Sequence, residues 1–187
     1  MDALISSFIL VFTSEMGDKS QLMSIAFATF IKVRTVLISI FIAAVINNGI
    51  AVLFGTYLTE YIPIKYIRIL AAISFLVFGL LALKNDQTED KKIIKSKYGS
   101  AATIISTYFF SEFGDKTQLA AIALTAAYKN PINVLVGTTL GIFTADVIGI
   151  LIGVYLNKKI PSKILHYISA GMFIIFGFIT LYKSRFM

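Results

Sequence analysis

Apolar residues along this chain gather in long unbroken runs rather than in the spaced stripes of a soluble helix. The runs cover 3–31, 34–59, 65–83, 100–128, 132–157 and 164–183. Each is long enough for a hydrocarbon layer about 30 Å thick at about 1.5 Å rise per residue. The pattern predicts an all-α integral membrane protein with six transmembrane helices, and a lipid bilayer as its surroundings. One polar stretch of any length interrupts it, "KNDQTEDKKIIKSKYGS" at Lys84–Ser100. That stretch divides the chain into a first three-helix unit at 1–84, a linker at 85–99 and a second three-helix unit at 100–187.

The two units repeat each other. "SEMGDKSQL" at Ser14–Leu22 returns as "SEFGDKTQL" at Ser111–Leu119, seven of nine residues being identical at an offset of 97. After one inserted residue near Lys129–Pro131 the offset becomes 98 and pairs Gly55 with Gly153, Tyr57 with Tyr155 and Gly79 with Gly177. Because three helices is an odd number, the second copy enters the membrane from the opposite side. The expected architecture is therefore a pair of inverted three-helix repeats, a design in which binding occurs at the repeat interface near the midplane.

Charge orients the molecule. The net charge of +7 is not a nucleic-acid signal, because the basic residues divide by side. Lys65, Arg68, Lys129, Lys183 and Arg185 fall on the side of the N-terminus. Lys32, Arg34, Lys84, Lys91, Lys92, Lys95, Lys97, Lys158, Lys159 and Lys163 fall opposite. The positive-inside rule makes the second side cytoplasmic, with both termini outside and the central loop within. The first run follows "MDAL", an acidic start with no cleavage pattern after it, so it reads as a permanent helix. Without cysteine the chain has no thiolate ligand or nucleophile. The single histidine, His166, has no metal or catalytic motif around it, so an enzyme is not expected.

Against this apolar background the acids of the two motifs are expensive. Glu15, Asp18, Glu112 and Asp115 each fall inside an apolar run, where a charged side chain costs roughly 2.5–3.5 kcal/mol. Read as continuous helices, the motifs set Glu15, Asp18 and Gln21 on one face, and Glu112, Asp115 and Gln118 on another. If the two faces meet, four carboxylates and two amide oxygens converge into an oxygen cage for a hard divalent cation. Ser14, Ser20, Ser111 and Thr117 stand ready to add hydroxyl oxygens. A plainer reading pairs Glu15 with Lys19 and Glu112 with Lys116 at i to i+4, which leaves both aspartates unexplained. Lys19 and Lys116 are either partners of the acids or cations reaching for an interface. Gly17 and Gly114 carry two readings of equal weight: a point where the helix opens, or a small residue for close packing.

The hexads "EMGDKS" at 15–20 and "EFGDKT" at 112–117 fit the pattern E-x-G-D-[KR]-[ST], one copy in each half. Such a pair resembles the Gdt-one family, long catalogued as uncharacterised and placed in the lysine-exporter superfamily. The resemblance covers essentially the whole chain. It implies exchange of a divalent cation, manganese or calcium, for protons, carried by Glu15, Asp18, Glu112 and Asp115. The expected location is a plasma membrane, and export the expected direction.

The acids also suggest how exchange is coupled. Clustered carboxylates do not all ionise without a metal, so the metal-free site holds protons that metal binding releases. Rocking of one repeat against the other then alternates access. The metal is cargo, no cofactor is expected, and nothing in the pattern fixes an oligomeric state. Two other classes stand beside this one: a passive cation channel, and an exporter of a small solute such as a basic amino acid. Near the middle of the second helix of each half the repeats differ in charge, where Asp146 aligns with Asn48 at offset 98. Aspartate carries protons and asparagine does not, which marks Asp146 either as an asymmetric proton carrier or as polar glue between helices.

Overall fold

The computed structural model describes residues 2–84, 100–155 and 162–185, all of its regular structure helical. The helices are α1 (Ala3–Glu15), α2 (Lys19–Phe30), α3 (Val33–Tyr61), α4 (Ile64–Lys84), α5 (Ser100–Glu112), α6 (Lys116–Tyr128), α7 (Pro131–Ile150) and α8 (Ser162–Arg185). A π-helical turn, Leu151–Tyr155, continues α7. The expected linker, the loop lysines around 158–159 and the His166 side chain lie outside the described residues.

Two of the six expected helices are each two helices. The run 3–31 breaks between α1 and α2, and 100–128 breaks between α5 and α6. Both breaks have one local cause: Gly17 and Gly114 each adopt φ 78°, a left-handed conformation that a side chain disfavours and a continuing α-helix cannot contain. The aspartate that follows becomes the N-cap of the next helix. At 13 residues, α1 and α5 each reach only about 20 Å. By contrast, α3 and α7 with its first π residues are long and apolar enough to cross a membrane. Their outer faces are apolar, as at Leu53 and Phe54. The inserted residue between the repeats has a visible origin: α2 ends in an extended Ile31, whereas α6 ends in a left-handed Lys129.

Two apolar clusters form the interior. One joins Leu10 of α1, Leu124 of α6, Phe75 of α4 and Phe173 of α8, with Phe75, Phe78 and Phe173 in ring contact. The other joins Phe27 of α2, Ile40 of α3, Ile104 and Tyr108 of α5, and Ile142 and Ile150 of α7. The motif residues occupy the chain junctions from one cluster to the other.

Packing around the breaks is unequal. In α7, a Cβ added at Gly137 would stand 2.5 Å from the Leu4 carbonyl, and one at Gly141 2.9 Å from the Phe12 nitrogen, so α1 lies backbone to backbone on α7. The aligned residues in α3, which packs on α5, are Ser39 and Ala43, whose side chains stand where α7 has glycine. Helices α4 and α8 pack on each other, α4 also on α6 and α8 also on α1, with no comparable packing on α2 or α5 among the described residues.

Candidate functional site

The breaks decide where every motif side chain points. Glu15 is the last residue of α1 and Asp18 caps α2, its Oδ1 accepting the Lys19 N–H at 2.8 Å. Glu112 ends α5 and Asp115 stands at the cap of α6. The expected common helical face of Glu15, Asp18 and Gln21 does not exist, because the residues belong to different helices. The i to i+4 pairing of each glutamate with its own lysine is lost for the same reason.

The lysines cross over instead. Lys116 Nζ lies 2.5 Å from Asp18 Oδ2, and Lys19 Nζ lies 3.5 Å from Asp115 Oδ2. Each motif thus supplies the cation for the other motif's aspartate. The pairs are not equal: Lys116 and Asp18 are 18% and 16% exposed, Lys19 and Asp115 36% and 21%. Pairing answers the cost of burying these charges, since an uncompensated charge in such a place is strongly destabilising.

The glutamates are the less satisfied acids. Glu15 Oε2 accepts the Ser20 hydroxyl at 2.5 Å, while its Oε1 has no hydrogen-bond partner. Both oxygens of Glu112 are buried without one. Ser14 donates to the Val11 carbonyl at 2.9 Å, Thr117 is buried and Ser111 half-buried. Among the described residues no three acidic or imidazole side chains stand close enough to hold a metal ion. The structure brings the two motifs together as crossed ion pairs rather than as a closed cage.

Gln21 and Gln118 act on the backbone. Gln21 Oε1 accepts the Gly17 N–H at 2.8 Å and Gln118 Oε1 accepts the Gly114 N–H at 2.6 Å. Their amide groups reach the opposite half: Gln21 donates to the Ala145 carbonyl, and Gln118 to Asn47 Oδ1 at 3.1 Å and the Asn47 carbonyl at 3.4 Å. Ala145 and Asn47 are themselves aligned at offset 98. Each glutamine therefore fastens its broken helix to the third helix of the other half.

Asp146 and Asn48 satisfy themselves differently. Asn48 donates to Thr139 Oγ1 at 3.4 Å. Asp146 Oδ2 accepts the Tyr108 hydroxyl at 2.7 Å, and its Oδ1 is buried without a partner. Sequence reasoning missed Asn47, Thr139 and Tyr108. The signal for Tyr108 was present in the alignment, where it faces Val11.

A family model described as "Divalent cation/proton antiporter GDT1" matches residues 3–90 and again 100–187. A protein of Vibrio cholerae named "Putative manganese exporter" is 31% identical over 184 residues, covering 97% of this chain and 92% of that one. Protein PAM71, chloroplastic, of Arabidopsis thaliana is 30% identical over 206 residues, covering 94% of this chain and 55% of its own. A GDT1-like protein of Synechocystis is 26% identical over 201 residues, covering 96% and 97%. No solved structure matches.

Proposed function

The chain belongs to the GDT1 family of divalent cation/proton antiporters, and we propose that it exports manganese through a site built from Glu15, Asp18, Glu112 and Asp115. As a family member it is a multi-pass membrane protein whose substrates are a divalent cation and protons, in a family of transporters rather than enzymes. The name of the Vibrio relative supports manganese and export, with calcium as the alternative cargo.

The observation that carries the site is the crossed pairing of Lys19 with Asp115 and Lys116 with Asp18. A divalent cation arriving between the halves competes with two tethered ammonium groups for the aspartates. It also meets one oxygen of Glu15 and two of Glu112 that no donor occupies. These are hard oxygen ligands, which suit manganese or calcium. Gln21 and Gln118 hold the breaks open and keep a second amide lone pair for the ion, with Ser14, Ser20, Ser111, Thr117 and Asn48 as accessory oxygens. Protons on the glutamates leave as the metal binds and return as it departs, with Lys19, Lys116 and Asp146 taking part in the coupling.

The architecture in this reading is six crossings in two inverted repeats, α1 with α2 forming one crossing and α5 with α6 its counterpart. In this reading the protein sits in the plasma membrane, and the positive-inside count along the sequence supports both termini outside and 85–99 in the cytoplasm. Packing of α4 on α6 and of α8 on α1, rather than on α2 or α5, supports a shape covered on the outer half of the site and less covered toward the cytoplasm.

The test is flux into reconstituted vesicles. Manganese uptake is expected to rise with an imposed pH gradient and to fall to the protein-free level in Glu15→Gln and in Glu112→Gln. Wild-type flux in both variants would remove the site, flux indifferent to the gradient would favour a channel, and competition by lysine would favour a solute exporter.

A further inference from the structure

Two departures from the internal repeat touch each other. Asn48 is replaced by Asp146, and Val11 is replaced by Tyr108. In the structure the second replacement answers the first: the Tyr108 hydroxyl donates to Asp146 Oδ2 at 2.7 Å. The other half solves its polar burial differently, with Asn48 bonded to Thr139, whose aligned residue is Phe41. Tyr108 is fully buried, and Asp146 is 2% exposed. A buried phenol needs an acceptor, and a buried carboxylate needs a donor, so each explains the other's presence.

The bond also fixes which oxygen remains available. With Oδ2 held by the phenol, Oδ1 is the buried atom without a partner. The ionisable groups near Tyr108 are Asp146 itself, Glu112 at the end of its own helix, and Glu15 of α1. Ser24 of α2 stands beside the Asp146 carboxyl, and α3 carries charge only at its ends, at Arg34 and Glu60. Among the described residues no lysine or arginine acts on the Asp146 carboxyl, Lys19 of α2 and Lys116 of α6 included, so the phenol, with Ser24 beside it, is the donor that orients it.

We propose that Tyr108 is a positioning residue for proton coupling: its hydroxyl holds Asp146 so that Oδ1 faces the site as the oxygen that takes up and gives back a proton. This rests on the reading of Asp146 as a proton carrier. Asp146 moves the proton, and Tyr108 acts through it.

The experiment uses the full chain in vesicles with manganese as the probe. Tyr108→Phe removes one hydroxyl and keeps the ring. The dependence of flux on an imposed pH gradient is expected to fall about tenfold, the scale of one lost hydrogen bond to a charged group. KM for manganese is expected to change less than about twofold, since cargo binding does not pass through the phenol. Tyr108→Phe added to Asp146→Asn is expected to cause no further loss. Manganese-for-manganese counterflow at equal pH moves no net proton and separates coupling from folding, so an equal fall in that mode would mark Tyr108 as structural and overturn the proposal. Normal coupling in Tyr108→Phe with weakened coupling in Asp146→Asn would overturn the role of Tyr108 and leave that of Asp146. Normal coupling in both would overturn the Asp146 reading itself.

Discussion

The two halves of this protein share the charges of their motifs and differ in their packing. Each half breaks its first apolar run at a left-handed glycine, sets an aspartate at the N-cap position of the next helix and fastens the break with a glutamine. Yet α1 lies on α7 at glycine distance, whereas α3, which packs on α5, carries Ser39 and Ala43 at the aligned positions. The same contrast reaches single residues, for Gly17 is buried and Gly114 exposed. At the motifs, symmetry survives where a buried charge demands a partner and lapses where only close approach is at stake. The less covered pair, α2 with α5, is the pair whose position can change at least expense.

The strongest way to break the comparison is to remove one lysine at a time. Lys116→Met strands Asp18 in a mostly buried setting and is expected to cost about 3–5 kcal/mol, read as lost thermal stability in detergent. Lys19→Met, at a longer and more exposed pair, is expected to cost about 1 kcal/mol or less. Equal losses would mean that the two crossings are equivalent. Exchanging the buried pair, Asp18→Lys with Lys116→Asp, is expected to recover part of the larger loss.

Next in size is the helix contact. Gly141→Ala drives a methyl into the backbone of α1 at Phe12 and is expected to destabilise by about 1–3 kcal/mol. Ala43→Gly, the reverse change under α5, is expected to move stability by about 1 kcal/mol or less, chiefly through helix propensity. A similar cost at both sites would show that α1 and α5 are held alike.

The last comparison isolates backbone strain. A Cβ at Gly114 meets nothing within 4 Å, so Gly114→Ala is charged only for its left-handed φ, about 1–2 kcal/mol. Gly17→Ala carries the same strain inside a buried site and is expected to lose more, measured by the same melting experiment.

Much of this was legible in the chain. The apolar runs located α3, α4, α7 and α8 to within a few residues, and the duplicated hexads located the site. The side-chain geometry was not legible, because counting by three and four presupposes a continuous helix. One positive φ at Gly17 undid that arithmetic for Glu15, Asp18 and Lys19 together. Lys116 finds Asp18 across nearly a hundred residues, and no local spacing encodes such a partner. Tyr108 is visible in the chain only as a departure from Val11 in the repeat, and one tyrosine in an apolar run looks like packing until its hydroxyl is seen on Asp146.

The crossed lysines also bear on how the protein is made. Asp18 and Lys19 leave the ribosome long before Lys116 and Asp115 exist. The first half therefore enters the bilayer with an acid and a base that each lack their final partner. Adjacent in sequence, they can shelter one another or draw water inward while synthesis continues. Arrival of the second half exchanges that provisional arrangement for two pairings between halves, so the ion pairs close only on a finished molecule. A truncated chain keeps its charges unsettled within the lipid, which gives membrane quality control a simple mark of an unfinished product.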